Sequence, residues 1–462
     1  MQKHDDINPD INDAPVFEAE KVQELAADEV FGIITEDGPN YRAVGWLGTS
    51  GLMMKTQIGL GVLSIPAAFD ALGLIPGVLG LVAIGVTTTW CNWVVGTFKL
   101  NHREIYGVDD AMYMIFGRVG REILAVAFVL SLIFASGSGM LGISIAFNAM
   151  STHGACTAIF VAVAAIMVIS FSSIRTLHKM SFLAWVGLVS LVLACFVVVI
   201  GVGTQDRPDA APQEGEWKSD YKLIGNPTFG EATAAFGTYV FAYAGTPLFF
   251  PIVAEMRDPR QYNKALVLCQ TVVTITYIVA GIVIYYFCGS YVASPALGSA
   301  GKLIKQISYG LALPGLLSGA VLNGHMAAKH FFLRFLRGSK HLVSNSLVHW
   351  ATWIGCVVGV CGVGYIIASA VPIFGSLIAL VGALFATLMC FIPTSCMWMY
   401  DNWHRPRTTL WMCQVAWAGF VLVAGSFLMV AGTYGAVEGI IDSYKSSSGT
   451  AAFSCADNSN SV

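Results

Sequence analysis

Lys55-Thr56-Gln57-Ile58-Gly59-Leu60-Gly61-Val62-Leu63-Ser64-Ile65-Pro66-Ala67-Ala68 lies in an apolar stretch of membrane-spanning length that breaks its own helix. Gly and Pro leave main-chain groups without helical partners, which hydrocarbon tolerates only where those groups line a protected cavity. The same interruption returns in the second half of the chain, at Phe241-Ala242-Tyr243-Ala244-Gly245-Thr246-Pro247. Two interrupted helices at matching places in two halves point to a transporter's substrate site.

Composition agrees with a membrane protein. Of 462 residues 56% are hydrophobic and only 11% charged, against about 25% charged in a soluble domain. A formal charge of -3 and the lack of a basic patch with interleaved aromatics argue against a nucleic-acid partner. The eleven Cys show no metal-type pairing, and no resident metal or cofactor is expected. Cys156, Cys288 and Cys455 fall near the expected outer side, where one disulfide is open.

Apolar runs of about 20 residues give eleven spans, at 46–70, 74–98, 122–148, 154–173, 181–203, 229–254, 265–289, 307–328, 347–371, 374–400 and 409–434. The chain therefore reads as an all-α polytopic membrane protein embedded in the lipid bilayer. Residues 1–45 form an acidic, disordered cytoplasmic tail, 46–434 the membrane domain, and 435–462 a short polar tail. The first 41 residues hold eleven acidic side chains and no signal-peptide core. A short helix is expected around Phe17–Val30, and a plug of the inner vestibule by Phe17–Phe31 is a sharper alternative to plain solvation. With the N-terminus inside and the C-terminus outside, eighteen of the 25 Lys and Arg face the cytoplasm and six the outside. That bias is what the positive-inside rule expects.

The Lys55–Ala68 stretch resembles the first-helix motif of the amino acid/auxin permease family. A second match is Phe241-Ala242-Tyr243-Ala244-Gly245, followed by Pro251, Glu255-Met256-Arg257-Asp258-Pro259 and Lys264-Ala265. Within the family the chain looks most like fungal permeases for neutral aliphatic and aromatic amino acids, of the methyltryptophan-resistance type. The resemblance implies a five-plus-five inverted repeat, as in leucine-type transporters. Repeat one would occupy 46–203 and repeat two 229–400, with 409–434 an extra helix. Spans one and six, the broken ones, would then be the first members of each repeat.

An amino acid presents a carboxylate and an ammonium on one carbon. A broken helix exposes N–H groups at one half-helix start, which favour an anion, and carbonyls at the other half-helix end, which favour a cation. The amides of Gly59, Leu60, Gly61 and Val62 are the candidate carboxylate seat. Carbonyls near Ile58 and at Phe241, Ala242, Tyr243 and Ala244 are the candidate ammonium seat, and Thr56 is a further candidate for substrate binding. Phe241 and Tyr243 also offer themselves as pocket walls, against the plainer role of core packing. Ser136 opens a small-residue run, Ser136-Gly137-Ser138-Gly139-Met140-Leu141-Gly142, that suits close helix packing or room for a bulky substrate. Its G-x-G-x-x-G spelling carries no dinucleotide, because no strand precedes it.

Lys55 is a charge placed about one helical turn before the break, and an intramembrane charge is a functional candidate by default. In sodium-coupled relatives the resemblance places a sodium site there, shared with the eighth span. A Lys ammonium could replace the metal and couple transport to protons. The plainer alternative is that Lys55 snorkels to the cytoplasmic edge. Ser318, Asn323 and His325 are the eighth-span candidates for ion coupling, and Glu255 is a candidate inner gate.

The expected function is proton-coupled symport of neutral amino acids by alternating access, at the plasma membrane. The rivals are a sodium-coupled or vacuolar transporter of the same fold and an amino-acid receptor that transports little. A membrane-embedded enzyme lacks clustered mid-membrane acids and histidines, so no enzymatic role is expected.

Overall fold

The computed structural model describes residues 27–28, 32–33, 44–105, 107–174, 177–336, 346–371, 373–446 and 452–459. Apart from β1 (Ala27–Asp28), which pairs antiparallel with β2 (Gly32–Ile33), the described fold is helical. The pairing puts Ala27 and Asp28 in a strand rather than in the helix expected up to Val30. The rest of that helix, and the Phe17–Phe31 plug as a unit, lie outside the described residues.

In chain order, α1 (Trp46–Gln57) and α2 (Ile65–Leu72) make the first crossing, α3 (Leu74–Asn101) the second and α4 (Val108–Ser151) the third. The next two are α5 (Thr157–Ser172) and α6 (Leu177–Thr204). The sixth is broken into α7 (Phe229–Ala242) and α8 (Thr246–Ala254). Then follow α9 (Tyr262–Cys288), α10 (Lys302–Leu336), α11 (Leu347–Ala370), α12 (Phe374–Val381) with α13 (Thr387–Asn402), and α14 (Thr409–Ser446). Among the described residues nine helical segments are long and apolar enough to span a membrane. The shorter α5 and the broken α1–α2 segment complete the eleven crossings expected.

Two limits differ from the sequence reading. The third helix starts at Val108, because an amphipathic turn bearing Asp109 and Asp110 joins it across a kink at Gly117, whose φ of 65° suits glycine. The last helix runs to Ser446 instead of 434: Glu438, Asp442 and Lys445 look like a tail but sit on one face of a continuing helix. The residues beyond it are not loose. Cys455 is disulfide-bonded to Cys156 at the start of α5, while Cys288 is buried and free. Thr157 Oγ1 donates to Ala456 O at 2.7 Å, Asn148 Nδ2 to Asn458 Oδ1 at 2.7 Å, and Lys305 Nζ to Ser459 O at 2.6 Å. The tail thus docks on the face where α4 ends and α10 begins.

Burial marks the centre. In their most apolar stretches 61% of residues are buried in α4 and in α10, and 67% in α12–α13, against 28% in α14, which lies at the edge. The two broken crossings meet between these central helices. The first break opens where Ile58 leaves the helix at ψ 93°. A single 3-10 turn, Gly61–Leu63, follows, and Pro66 sits in the first turn of α2, where its missing N–H is no loss. The second break follows Ala242, and Pro247 occupies the first turn of α8. Gly61 is where the two touch. A Cβ there would stand 2.5 Å from Ala242 Cα, so only glycine allows the approach.

Candidate functional site

A cavity of about 190 Å³ opens beside both breaks, far more than the ~15 Å³ that a single water needs. Its floor is the first break, through Thr56, Gly59, Leu60 and Gly61. Phe241, Ala244, Pro247 and Leu248 bring the second break to one side. Phe128, Ser131, Leu132 and Ala135 of α4 face them, with Leu316, Gly319, Leu322 and Asn323 of α10 and Phe385, Ala386, Met389 and Cys390 from the tenth crossing. The walls are mainly apolar, and no acidic side chain among the described residues lines them.

The polar equipment is concentrated at the first break. Among the described residues the N–H groups of Gly59, Leu60, Gly61 and Val62 find no acceptor; the next donor is Leu63, to Leu60 O at 3.2 Å. Four free amides at a helix start form a positive patch suited to an anion. Lys55 lies one turn earlier, part-buried and lining the cavity, with no ion pair among the described residues. Its neighbour Thr56 also faces the cavity and donates its hydroxyl to Met53 O at 2.7 Å.

The second break is organised differently. Tyr243 N donates to Tyr239 O at 3.2 Å, Ala244 N to Phe241 O at 3.1 Å, and Gly245 N to Tyr243 O at 2.8 Å. Tyr243 O also accepts from Gln57 Nε2 at 3.2 Å, and Ala242 O from Tyr277 Oη at 2.8 Å. Three of the four carbonyls expected to be open to an ammonium, those of Phe241, Ala242 and Tyr243, therefore have protein donors.

The sequence-derived candidates divide accordingly. Lys55, Thr56, Gly59, Leu60, Gly61, Phe241, Ala244 and Asn323 come together around the cavity. Ile58 and Val62 turn their side chains into the core, 2% and 1% exposed. Ala242 is buried behind Gly61. Tyr243 is fully buried away from the cavity, and its hydroxyl donates to Thr274 Oγ1 at 3.0 Å. Ser136 Oγ donates to Ala320 O at 3.0 Å, joining α4 to α10. Ser318 bonds Gly315 O of its own helix at 2.9 Å and presses on Gly187 of α6.

His325 also stands outside the lining. It is fully buried with Nδ1 3.1 Å from Ser172 O and its ring 5.1 Å from that of Trp353. Glu255 caps the end of α8, where its carbonyl accepts from Val44 N at 3.4 Å and Arg257 N donates to Val44 O at 2.9 Å. Burial pushes its carboxyl above the usual carboxylate range, against the opposing charge of Lys329.

Three contributors escaped the sequence reading. The α4 residues at 128, 131, 132 and 135 are one to two turns from Ser136, on a helix already singled out. A π-helical turn, Gly382–Ala386, joins α12 to α13. Its wider winding puts Val381, Ala386 and Cys390 on one face, where an α-helix would rotate residue i+5 well away. Gln57 and Tyr277 were missed as well; a buried glutamine beside a break was the available signal.

Comparison with known proteins fits this geometry. The family described as "Transmembrane amino acid transporter protein" matches residues 42–438. A "Transmembrane transporter" of Gibberella moniliformis is 35% identical over 432 residues, 92% of this chain and 90% of its own length. The "N amino acid transport system protein" of Neurospora crassa is 29% identical over 431 residues, 91% of this chain and 90% of its own. A solved structure titled "Substrate-bound outward-open state of a Na+-coupled sialic acid symporter reveals a novel Na+-site" superposes with a TM-score of 0.54 at 12% identity, over 86% of this chain and 92% of that one. That likeness shows the fold, a five-plus-five inverted repeat in which the broken crossings open each repeat. The chain belongs to the transmembrane amino acid transporter family, the amino acid/auxin permeases.

Proposed function

We propose that the protein is a secondary active transporter that carries neutral aliphatic and aromatic L-amino acids in symport with protons, by alternating access, at the plasma membrane. The observation that carries this reading is the row of free amides from Gly59 to Val62, of which Gly59, Leu60 and Gly61 line an apolar cavity whose one charged side chain among the described residues is Lys55. The amides donate to the substrate carboxylate and the carbonyl end of α1 favours its ammonium. The apolar walls take the side chain. A cationic side chain would meet Lys55 with no carboxylate to balance it, which supports neutral cargo.

Lys55 is the coupling residue in this reading. A charge held there without a partner is costly, so loading and release of one proton is tied to whether the cavity is open to water. The chain's likeness to a sodium-coupled symporter keeps sodium as the second reading. Ser318 favours protons over it, because its hydroxyl is engaged within α10 rather than aimed toward Lys55.

The test is uptake of alanine, leucine and phenylalanine into proteoliposomes under an imposed proton gradient, with and without sodium. Accumulation driven by the proton gradient alone is expected. Accumulation only with sodium would overturn proton coupling, and binding without uptake would favour a receptor.

A further inference from the structure

The two breaks are joined by a small set of hydrogen bonds that the transport reading does not itself use. Tyr277, on α9, is fully buried, and its hydroxyl stands 2.8 Å from two carbonyl oxygens: Gln57 O, at the end of α1, and Ala242 O, at the end of α7. Gln57 Nε2 reaches back across the gap to Tyr243 O at 3.2 Å, and Cys269 Sγ donates to Gln57 Oε1 at 3.7 Å. These contacts bring two helix C-termini together. Each such end carries about half a negative charge, so their approach needs donors between them. The hydroxyl and the amide are those donors, and a tyrosine has one hydroxyl proton to divide between two acceptors.

We propose that Tyr277 is a positioning residue for substrate binding: its hydroxyl, with the Gln57 amide, holds the carbonyl ends of α1 and α7 together. This sets where the free amides of Gly59 to Val62 stand. The inference rests on the transport reading above. Two further contacts point the same way. Gly61 packs on the Cα atom of Ala242 without room for a side chain. At the other ends, Val44 pairs with Glu255 and Arg257, so the start of α1 follows the end of α8. The clasp acts on the part of the site that meets groups shared by all amino acids. Its loss must therefore weaken small and large substrates alike.

Wild type, Tyr277→Phe and Tyr243→Phe are compared in proteoliposomes, by uptake kinetics for alanine and phenylalanine and by the substrate-induced rise in melting temperature. Tyr277→Phe keeps the ring and its edge contact with Tyr243 at 5.2 Å. KM is expected to rise about tenfold, the worth of one hydrogen bond, by the same factor for both substrates, with Vmax within about twofold. Tyr243→Phe, which removes an equally buried hydroxyl bonded only to Thr274, is expected to leave KM near wild type.

An unchanged KM in Tyr277→Phe overturns the proposal. So does an equal rise in both variants, which marks a general cost of losing a buried hydroxyl, or a rise that differs between alanine and phenylalanine. Should Tyr277→Phe not insert, Gln57→Asn shortens the other arm of the clasp and is held to the same uniform rise. A wild type that takes up neither amino acid refutes the transport reading instead. The melting shift still reports the binding ratio between wild type and variants.

Discussion

The first and second breaks look alike in sequence and are opposites in structure. Both interrupt an apolar crossing with glycine followed by proline. At the first, four consecutive N–H groups find no acceptor among the described residues, and three of the four residues line the cavity. At the second, the carbonyls of Phe241, Ala242 and Tyr243 already have donors from Ala244, Tyr277, Gln57 and Gly245. A gap in helical hydrogen bonding is therefore not by itself a seat for a ligand. It becomes one only where no neighbouring side chain reaches in. Gln57 and Tyr277 occupy the carbonyls of the second break, while the amides of the first stay free for the anion that the proposed function places there.

Four substitutions, the first paired with Gly59→Ala as its control, probe the site, starting with the most damaging. Gly61→Ala drives a Cβ to within 2.5 Å of Ala242 Cα, whereas Gly59→Ala meets nothing closer than Gln57 O at 3.9 Å. Uptake is expected to fall about a hundredfold in the first, from overpacking of a few kcal/mol, and much less in the second. Equal loss in both would erase the distinction between contact and seat. Next, Lys55→Ala removes the cation beside the free amides. Concentrative uptake and its pH dependence should disappear while downhill uptake of the same amino acid continues, measured at equal surface expression. Full proton-driven accumulation by Lys55→Ala would remove the residue from the coupling.

The third substitution leaves both breaks alone. Phe385 reaches the cavity from the π-helical turn and packs 5.3 Å from the Phe134 ring. Phe385→Ala is expected to shift the KM ratio of phenylalanine to alanine by about tenfold, the size typical of an altered apolar pocket. An unchanged ratio would move the side-chain wall elsewhere.

The smallest effect is expected at Glu255. Its carboxyl titrates above the usual range because of burial, so the folded state holds its proton more tightly than the unfolded state. The stabilising contribution is present at acidic pH and is lost as pH rises through the raised value. Glu255→Gln should therefore gain stability relative to wild type from acidic to neutral pH, by about 1 °C in melting temperature for a chain of this size. A gap that closes over that range would contradict the sign.

The crossings and both breaks were legible because glycine, proline and the length of apolar runs act locally. Lys55, Thr56, Gly59 and Gly61 were legible for the same reason, since they belong to the break itself. Ser136, Ser318 and His325 sit on correctly placed helices but face neighbours instead of the cavity. Their hydroxyls and ring serve α10 carbonyls or the α5 terminus. Which way a helix turns depends on partners hundreds of residues away, as when Gly187 admits Ser318. The wall formed by Val381, Ala386 and Cys390 was hidden by a different cause. Regular helical spacing turns Val381 away from the face shared by Ala386 and Cys390, and the π-helical turn brings it back.

The bond between Cys156 and Cys455 also records how the chain was threaded. Eight crossings separate the two cysteines, an even number, so both thiols surface on the same side when all of those helices have inserted. A molecule that skips one crossing strands its cysteines on opposite sides of the bilayer. The fraction of purified protein carrying this cross-link, counted by mass spectrometry after alkylation, then separates copies that have skipped a single crossing from those that have not.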